Sequence, residues 1–447
     1  MLPRLRPRLA LTTALTMLLM SLTGASARAA EKAFWGPTTL PDGSSAFGLY
    51  EQLGIDTLQF TVDWAQVAAT RPAAPADPAD AAYRWPSEIS EATVEAARRG
   101  IGVSLLVTGA PAWANGGRAA IWRPDRAQDF GDFLTAATRR YPTVRRWMIW
   151  GEPNRDDRFQ PNARNSRVGP RAYATLLDAA YAALKRASRR NVVIGANTWT
   201  NGTVRPADFL RWMRLPNGRL PRLDWLGHNP FPFRFPNLAK QPLAGGYRDI
   251  SDIDTISRDV RRIYRRQVPL WLSEYTIQSD HGSALFATYV SRAMQARYIS
   301  AAFRVADELG SAVAGLGWLT LLDEPPASDS ANTGLMTYDL QRKPAFAAMR
   351  RAPSERLRPA VTAPATISRA SLRGSRGLKV TVTPRASGSV IVELRRGSNV
   401  RDRVRVSGRP GRRVTATLRS SLATTGRHVV GVRAARAVTV RRAVRVR

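Results

Sequence analysis

The sequence predicts an α/β protein, a (β/α)8 barrel followed by a small antiparallel β-sandwich. Two observations lead to this prediction. Through residues 31 to 352, apolar β-rich segments alternate eight times with segments of helical spacing, at about 40 residues per unit. After residue 352 the sequence pattern changes to short segments in which apolar and polar residues alternate, separated by Gly and Ser.

The eight predicted strands lie at 33–35, 57–62, 102–107, 147–150, 192–196, 225–227, 270–273 and 312–318. Helices are predicted between them at 90–99, 127–141, 172–188, 256–265 and 289–309. A doubly wound open sheet is the alternative, but it usually has fewer strands, and no G-x-G-x-x-G follows any predicted strand. The count and the alternation therefore favour the barrel, over residues 30–352.

The C-terminal region is predicted to be a separate domain at 366–447, after a linker at 353–365 marked by Pro353, Pro359 and Pro364. Its predicted strands lie at 378–382, 389–394, 403–406, 414–418, 428–432 and 437–440. It contains almost no acidic residues, so an accessory role in binding or spacing is expected.

Residues 1–29 have the pattern of a secretory signal peptide. Arg4, Arg6 and Arg8 precede an apolar segment at 9–22, and small residues follow it at 25–29. The alternative is a membrane anchor, but the apolar segment is short for a span of about 20 residues. The mature protein is therefore expected to be secreted or associated with the cell surface, without a transmembrane segment.

Composition excludes several kinds of site. Cysteine is absent, which excludes disulfides, thiolate metal sites and a cysteine nucleophile. Only three histidines occur, and no H-E-x-x-H pair is present, which argues against a zinc enzyme. No metal and no organic cofactor is therefore expected.

The net charge of +34 is concentrated at the C-terminal end, where residues 360–447 carry a net charge of +19. One interpretation is a solvated basic face, and another is attraction to an acidic cell-wall polymer. No zinc finger, RNP motif or basic helix accompanies the charge, so specific nucleic-acid recognition is not expected.

Chemistry in such a barrel gathers where the strands end. Glu152 follows the fourth predicted strand and Glu274 the seventh, and both are candidate catalytic residues. The candidate substrate-binding residues near other strand ends are Asp63, Trp113, Asn154, Asn197, Trp199, His228, Asn229 and Trp318. Single acids after strands are common, and His228 and the tryptophans are equally consistent with structural roles.

Two carboxyl groups at one rim suit the cleavage of a glycosidic bond. One protonates the leaving oxygen, and the other attacks or stabilises the anomeric carbon. Two such groups held about 5 Å apart give retention of configuration through a covalent intermediate. Each negative charge disfavours the other, so one group can stay protonated near neutral pH.

Several motifs strengthen this interpretation. WMIWGEPN at 147–154 resembles the W-N-E-P-N signature of the clan of (β/α)8 glycoside hydrolases that includes cellulase family 5 and β-xylosidase family 39. GAPAWA at 109–114, LGHNPFP at 226–232, PLWLSEY at 269–275 and the segment at 332–349 resemble other conserved stretches of that clan. The resemblance implies that Glu152 is the acid/base and Glu274 the nucleophile, acting on a carbohydrate.

Three positions depart from the clan. Gly151 stands where the clan usually has an Asn that contacts the sugar 2-hydroxyl, Phe231 replaces a Tyr, and Gln59 lies nearest to the position of a usual Arg. The leading hypothesis is a secreted, monomeric, retaining glycosidase that acts on a β-linked poly- or oligosaccharide. The alternatives are a non-catalytic carbohydrate- or cell-wall-binding barrel, and a polyanion-binding protein that acts through its C-terminal domain.

Overall fold

A computed structural model describes residues 30–286, 288–327, 329–354, 365–372, 378–385, 388–396, 399–409, 411–419, 426–433 and 440–446. The predicted signal peptide at 1–29 and most of the predicted linker lie outside these residues. The chain divides into two compact units, and the division falls between Arg358 and Pro359, inside the predicted linker.

The first unit is a closed barrel of eight parallel strands. These strands are β1 Glu31–Trp35, β2 Thr57–Asp63, β3 Gly102–Thr108, β4 Arg146–Ile149, β5 Val192–Trp199, β6 Trp225–Asn229, β7 Leu270–Tyr275 and β10 Val313–Leu319. Between β7 and β10 lie two short strands outside the barrel, β8 Gln278–Ser279 and β9 Tyr289–Val290, which pair with each other in parallel. Each barrel strand pairs with its neighbours in chain order, and β10 pairs with β1 to close the barrel. The predicted (β/α)8 barrel is confirmed.

Nine α-helices are found among the described residues of this unit, on the connections between barrel strands and after β10. They are α1 Phe47–Leu53, α2 Trp64–Val67, α3 Ser87–Arg98, α4 Ala127–Arg140, α5 Val168–Ala187, α6 Pro206–Trp212, α7 Ile253–Tyr264, α8 Arg292–Leu309 and α9 Pro344–Arg351. The sequence prediction missed α1, α2, α6 and α9. These helices have four to eight residues, too few for a helical period to stand out.

The barrel has an inner and an outer apolar layer. Ala33, Leu106, Met148, Ile194 and Trp271 pack together as a small cluster inside the barrel. A much larger cluster joins the outward side chains of the strands to the buried faces of the helices. The strands are therefore buried on both faces, which explains their nearly continuous apolar sequences.

The described residues of the second unit form seven antiparallel strands in two sheets. They are β11 Ala365–Leu372, β12 Leu378–Pro384, β13 Gly388–Arg396, β14 Asn399–Gly408, β15 Val414–Leu418, β16 Gly426–Arg433 and β17 Val440–Val446. The sheet orders are β11-β12-β15 and β14-β13-β16-β17, around a core of Val, Leu and Ala side chains. The predicted β-sandwich is confirmed, but β11 was missed, and the last strand begins at Val440, where the prediction ended it.

None of the helices among the described residues has both the length and the apolar character needed to cross a membrane.

Candidate active site at the mouth of the barrel

Glu152 lies in a tight turn just after β4. Its φ is 48°, and that of Trp150 is 63°, values in the left-handed region that non-glycine residues seldom adopt. The turn is held because the Glu152 N–H donates to the Asn197 carbonyl over 3.1 Å, and the Trp150 indole donates to the Arg158 carbonyl over 2.8 Å. Strained backbone of this kind is characteristic of functional sites and persists only where surrounding contacts enforce it.

The Glu152 carboxylate accepts two side-chain hydrogen bonds. Arg155 Nη1 lies 2.8 Å from its Oε2, and Asn229 Nδ2 lies 3.0 Å from its Oε1. The side chain is nearly buried, so both contacts act at low effective dielectric. A guanidinium and an amide N–H therefore both bind this carboxylate.

Glu274 lies in β7, one residue before the strand ends, and its electrostatic environment differs. Burial, together with the negative charge of Glu152, raises the pKa of Glu274 to about 8. The charges of Arg158 and Arg155 and a hydrogen bond from Asn229 act in the opposite direction. Burial is the dominant cause, so Glu274 favours its protonated form at neutral pH.

Asn229, at the end of β6, lies beside both carboxyl groups. Its amide donates to Glu152 Oε1 over 3.0 Å, and its side chain lowers the pKa of Glu274. Its Oδ1 accepts from Ser273 Oγ over 2.6 Å, which orients the amide nitrogen toward Glu152. The charge of Glu152 in turn raises the pKa of Glu274, so the predicted pair belongs to one site.

A buried network supports β7 just before Glu274. The Ser273 carbonyl accepts from Gln59 Nε2 over 2.8 Å and from Trp35 Nε1 over 2.9 Å. Gln59 also accepts from the Trp271 indole over 3.0 Å. Gly317 of β10 leaves room for this network, because a Cβ at that position would lie 2.0 Å from the Ser273 carbonyl oxygen.

Arg155 and Arg158 belong to the site, although the sequence analysis did not identify them. Arg155 pairs with Asp157 as well as Glu152, and its guanidinium lies 4.5 Å from the centre of the Trp199 ring. Arg158 is exposed, and its charge reaches Glu274. The available signal was the stretch R-D-D-R directly after the W-G-E-P-N motif, which places two cations within six residues of a candidate catalytic acid.

Asn154 and Asn197 are buried and hold the loops around Glu152. Asn154 donates to the carbonyls of Trp199 and Val204 and accepts from the Trp199 N–H, so its amide is fully used. Asn197 donates to the Trp150 carbonyl over 3.0 Å. The structure thus gives Asn154 a structural role in place of the predicted contact with substrate.

His228 is also buried, and both of its ring nitrogens are occupied. Nδ1 lies 2.8 Å from Thr198 Oγ1, and Nε2 lies 2.9 Å from the Arg248 carbonyl. Burial lowers the pKa of His228 to about 4, so the ring is neutral, with Nε2–H donating to the carbonyl and Nδ1 accepting. The prediction that His228 binds substrate conflicts with this geometry, since no ring nitrogen is free.

Three further candidate residues form hydrogen bonds with backbone groups of the protein. Asp63 caps α2 by accepting from the N–H groups of Ala65 and Gln66. Trp318 is 1% exposed, and its indole donates to the Thr333 carbonyl, so it is a core residue in place of the predicted sugar platform. Trp113 remains partly exposed, with its indole bonded to the Ala68 carbonyl.

The departures from the clan pattern have structural counterparts. A Cβ at Gly151 would lie 3.3 Å from Leu106 Cδ2, so Leu106 occupies space beside this position. Phe231 packs against Phe286, with ring centres 5.5 Å apart. Gln59 binds the backbone of β7. Neither Phe231 nor Gln59 is among the groups that stabilise the ionised form of Glu274.

Within the described residues, no group of three or more His, Asp or Glu side chains is placed to hold a metal ion. The site consists of the carboxyl groups of Glu152 and Glu274, the amide of Asn229, and the guanidinium groups of Arg155 and Arg158.

Neither a protein-family model nor a curated protein sequence matches this chain. Solved structures do match. A family 39 glycoside hydrolase from Bacteroides cellulosilyticus is 14% identical, with a TM-score of 0.54 over 88% of this chain and 82% of that one. A glucosidase from Croceicoccus marinus is 12% identical, with a TM-score of 0.54 over 88% and 94%.

A family 39 β-xylosidase from Caulobacter crescentus is 16% identical, with a TM-score of 0.51 over 83% of each chain. At these identities the likeness concerns the fold. The chain therefore shares its fold with solved structures of family 39 glycoside hydrolases, as the resemblance of its strand-end motifs predicts.

Proposed function

We propose that this protein is a retaining glycoside hydrolase acting on a β-linked sugar, with Glu152 as acid/base and Glu274 as nucleophile. The observation that carries the proposal is that Asn229 donates to Glu152 and also acts on Glu274, whose pKa the charge of Glu152 raises, so the two carboxyl groups belong to one site. A retaining mechanism requires the two groups to lie about 5 Å apart, so that one carboxylate attacks while the other protonates the leaving oxygen.

The productive state of the pair holds one proton, on Glu152, while Glu274 is ionised. In the ligand-free protein the raised pKa of Glu274 favours placing the proton on that residue instead. The two placements contain the same number of protons, so they belong to one macroscopic state of the pair. Positive charge developing at the anomeric carbon stabilises an ionised Glu274 and therefore favours the productive placement in the transition state.

The first test is a hydrolysis screen with aryl β-xylosides, aryl β-glucosides and β-linked oligosaccharides, because the structural neighbours include a β-xylosidase and a glucosidase. Product configuration is followed by NMR in the first minutes of reaction. Retention is expected, and Glu152→Gln and Glu274→Gln are expected to reduce kcat by at least about a thousandfold. Inversion, or full activity in either variant, contradicts the proposal.

A non-catalytic carbohydrate-binding barrel is the second candidate, favoured by the absence of the clan's Asn, Tyr and Arg at Gly151, Phe231 and Gln59. It predicts sugar binding without turnover across the same screen. Hydrolysis that depends on either glutamate excludes it.

Secretion is part of the proposal and rests on residues 1–29. Expression of the full chain in an actively secreting host, followed by N-terminal sequencing of the exported protein, tests it. Export with cleavage close to residue 29 is expected, and retention of the intact chain in the cell contradicts it.

A further inference from the structure

One face of the second unit's four-stranded sheet carries a cluster of arginines. Along β13, the side chains of Val390, Val392 and Leu394 lie in the apolar core. Since side chains alternate along a strand, Glu393 and Arg395 are on the opposite face.

The strand register brings further arginines to this outer face. Arg403 of β14 is directly opposite Glu393, and Arg405 and Arg433 are opposite Ile391 on either side. Arg441 of β17 is opposite Gly431, which is itself opposite Glu393. Directly opposed residues share a face of the sheet. We call the set Arg395, Arg403, Arg405, Arg433 and Arg441 the arginine face.

Glu393 lies at the centre of the arginine face and is buried. Its carboxylate accepts from Nε of Arg395 over 2.8 Å, and Nε atoms of Arg403 and Arg433 lie 3.2 Å from it. Burial alone would raise its pKa, but Arg433, Arg395 and Arg403 together hold the pKa below its usual value. A single ionised glutamate therefore holds three members of the arginine face together.

The chemistry of the unit restricts what this face can bind. No Phe, Tyr or Trp occurs after Phe346, so the unit has no ring on which a neutral sugar or a nucleic-acid base could stack. Among its described side chains, Val400 is the only large apolar one that is exposed, so the unit has little apolar surface to insert into a lipid membrane. No helix occurs among them to enter a nucleic-acid groove.

We propose that the arginine face binds an acidic polysaccharide through its carboxylate groups. Guanidinium groups pair with carboxylates in a planar, two-point geometry. Neighbouring strands present them at intervals of about 4.8 Å, and alternate residues along a strand at about 7 Å, which suits a chain of repeated charges lying across the sheet. This proposal does not depend on hydrolysis by the barrel.

The test uses the full chain and polygalacturonate as the probe. Arg405→Gln with Arg441→Gln removes two exposed members of the arginine face and leaves Arg395, Arg403 and Arg433 around Glu393. Arg98→Gln with Arg262→Gln is the matched control, because their side chains are 74% and 78% exposed on barrel helices and the net charge of the variant is the same. Calorimetric titration at several salt concentrations gives the affinities.

The face variant is expected to bind about tenfold more weakly than the wild type, with a shallower dependence on salt. The control variant is expected to lose less than about twofold. Equal losses in the two variants, or no binding by the wild type, overturn the proposal. Duplex DNA or phosphatidylglycerol vesicles binding the wild type more tightly than polygalacturonate would likewise overturn the assignment to a polysaccharide. Unfolding temperatures of all variants are compared to confirm folding.

Discussion

Arg155 donates to the Glu152 carboxylate over 2.8 Å, and its charge also lowers the pKa of Glu274. The same guanidinium pairs with Asp157 and lies over the Trp199 ring, so it is held from three sides. One cation therefore acts on both glutamates of the site. Burial and the charge of Glu152 oppose its effect on Glu274, whose pKa remains raised.

Arg155→Gln tests this relationship. The charge of Arg155 lowers the pKa of Glu274, so removing it should raise that pKa further and move the alkaline limb of kcat/KM upward by about one pH unit. Asp157→Asn is the control, since it leaves the guanidinium in place but removes a negative charge; the limb should stay or move downward. An unmoved limb in Arg155→Gln contradicts the role assigned to Arg155.

Activity should fall at alkaline pH as the pair loses its single proton. The raised pKa of Glu274, about 8, places this limb near pH 8. An acidic limb follows when both groups are protonated, because no carboxylate is then left to attack. A profile of kcat/KM on an aryl β-glycoside from pH 4 to pH 10 checks this. Activity that is constant through pH 9.5 would show that the pair does not control the reaction.

Glu274→Gln should stabilise the protein at high pH. The folded-state pKa of Glu274 is raised above an unfolded value of about 4.3, so its contribution to stability is fully present at low pH and is lost as the pH rises through 8. The neutral amide removes this loss, and a gain on the order of 3 kcal/mol is expected at pH 9, with almost none at pH 4.

Denaturant unfolding of the two proteins at both pH values measures that gain. Glu91→Gln, which changes an exposed glutamate on α3, is the control for a general effect of charge. A gain for Glu274→Gln that is equal at pH 4 and pH 9 would contradict the electrostatic explanation.

Gly227→Ala should disrupt the candidate site indirectly, by displacing Asn197. A Cβ at Gly227 would lie 1.8 Å from Asn197 Oδ1, and Asn197 holds the turn that carries Glu152. We expect kcat to fall at least about tenfold and stability to fall by about 1–3 kcal/mol. Gly48→Ala is the matched control on α1, where a Cβ meets nothing within 4 Å; there a gain of up to about 1 kcal/mol is expected. Wild-type activity in Gly227→Ala would remove Asn197 from the site's support.

Covalent trapping should distinguish the roles of the two glutamates. Incubation with 2,4-dinitrophenyl 2-deoxy-2-fluoro-β-xyloside or its glucoside analogue should leave the sugar on the nucleophile, because the fluorine slows both steps while the reactive dinitrophenolate leaving group keeps the first step fast enough to occur. Peptide mass spectrometry is expected to find the label on Glu274. A label on Glu152 would reverse the assignment.

The sequence predicted the barrel strands well because each is buried on both faces and is bounded by polar residues. The eight predicted segments coincide with β1–β7 and β10 to within a few residues. Short helices were missed for a physical reason. The single turn of α2, for example, depends on Asp63 accepting two N–H groups at its start, a contact that no period reveals.

Within the candidate site, the sequence placed Glu152 and Glu274 at strand ends but could not separate neighbouring polar residues by role. His228 and Asn229 are adjacent and were predicted alike, yet the His228 ring is fully bonded to the protein and the Asn229 side chain donates to Glu152. Partners 20 or more residues away along the chain decide this difference. The same holds for Gln59, whose distance from Ser273 along the chain hides their contact.

The Ser273 carbonyl has a consequence for how the molecule tolerates change. Trp35 from β1 and Gln59 from β2 reach across the interior to this one oxygen, so the strand that bears Glu274 is anchored from within the cylinder. Insertions in the surrounding loops can accumulate without displacing that carboxyl group. A substitution of Trp35 or Gln59, which hold the buried Ser273 carbonyl, would displace the Glu274 carboxyl group.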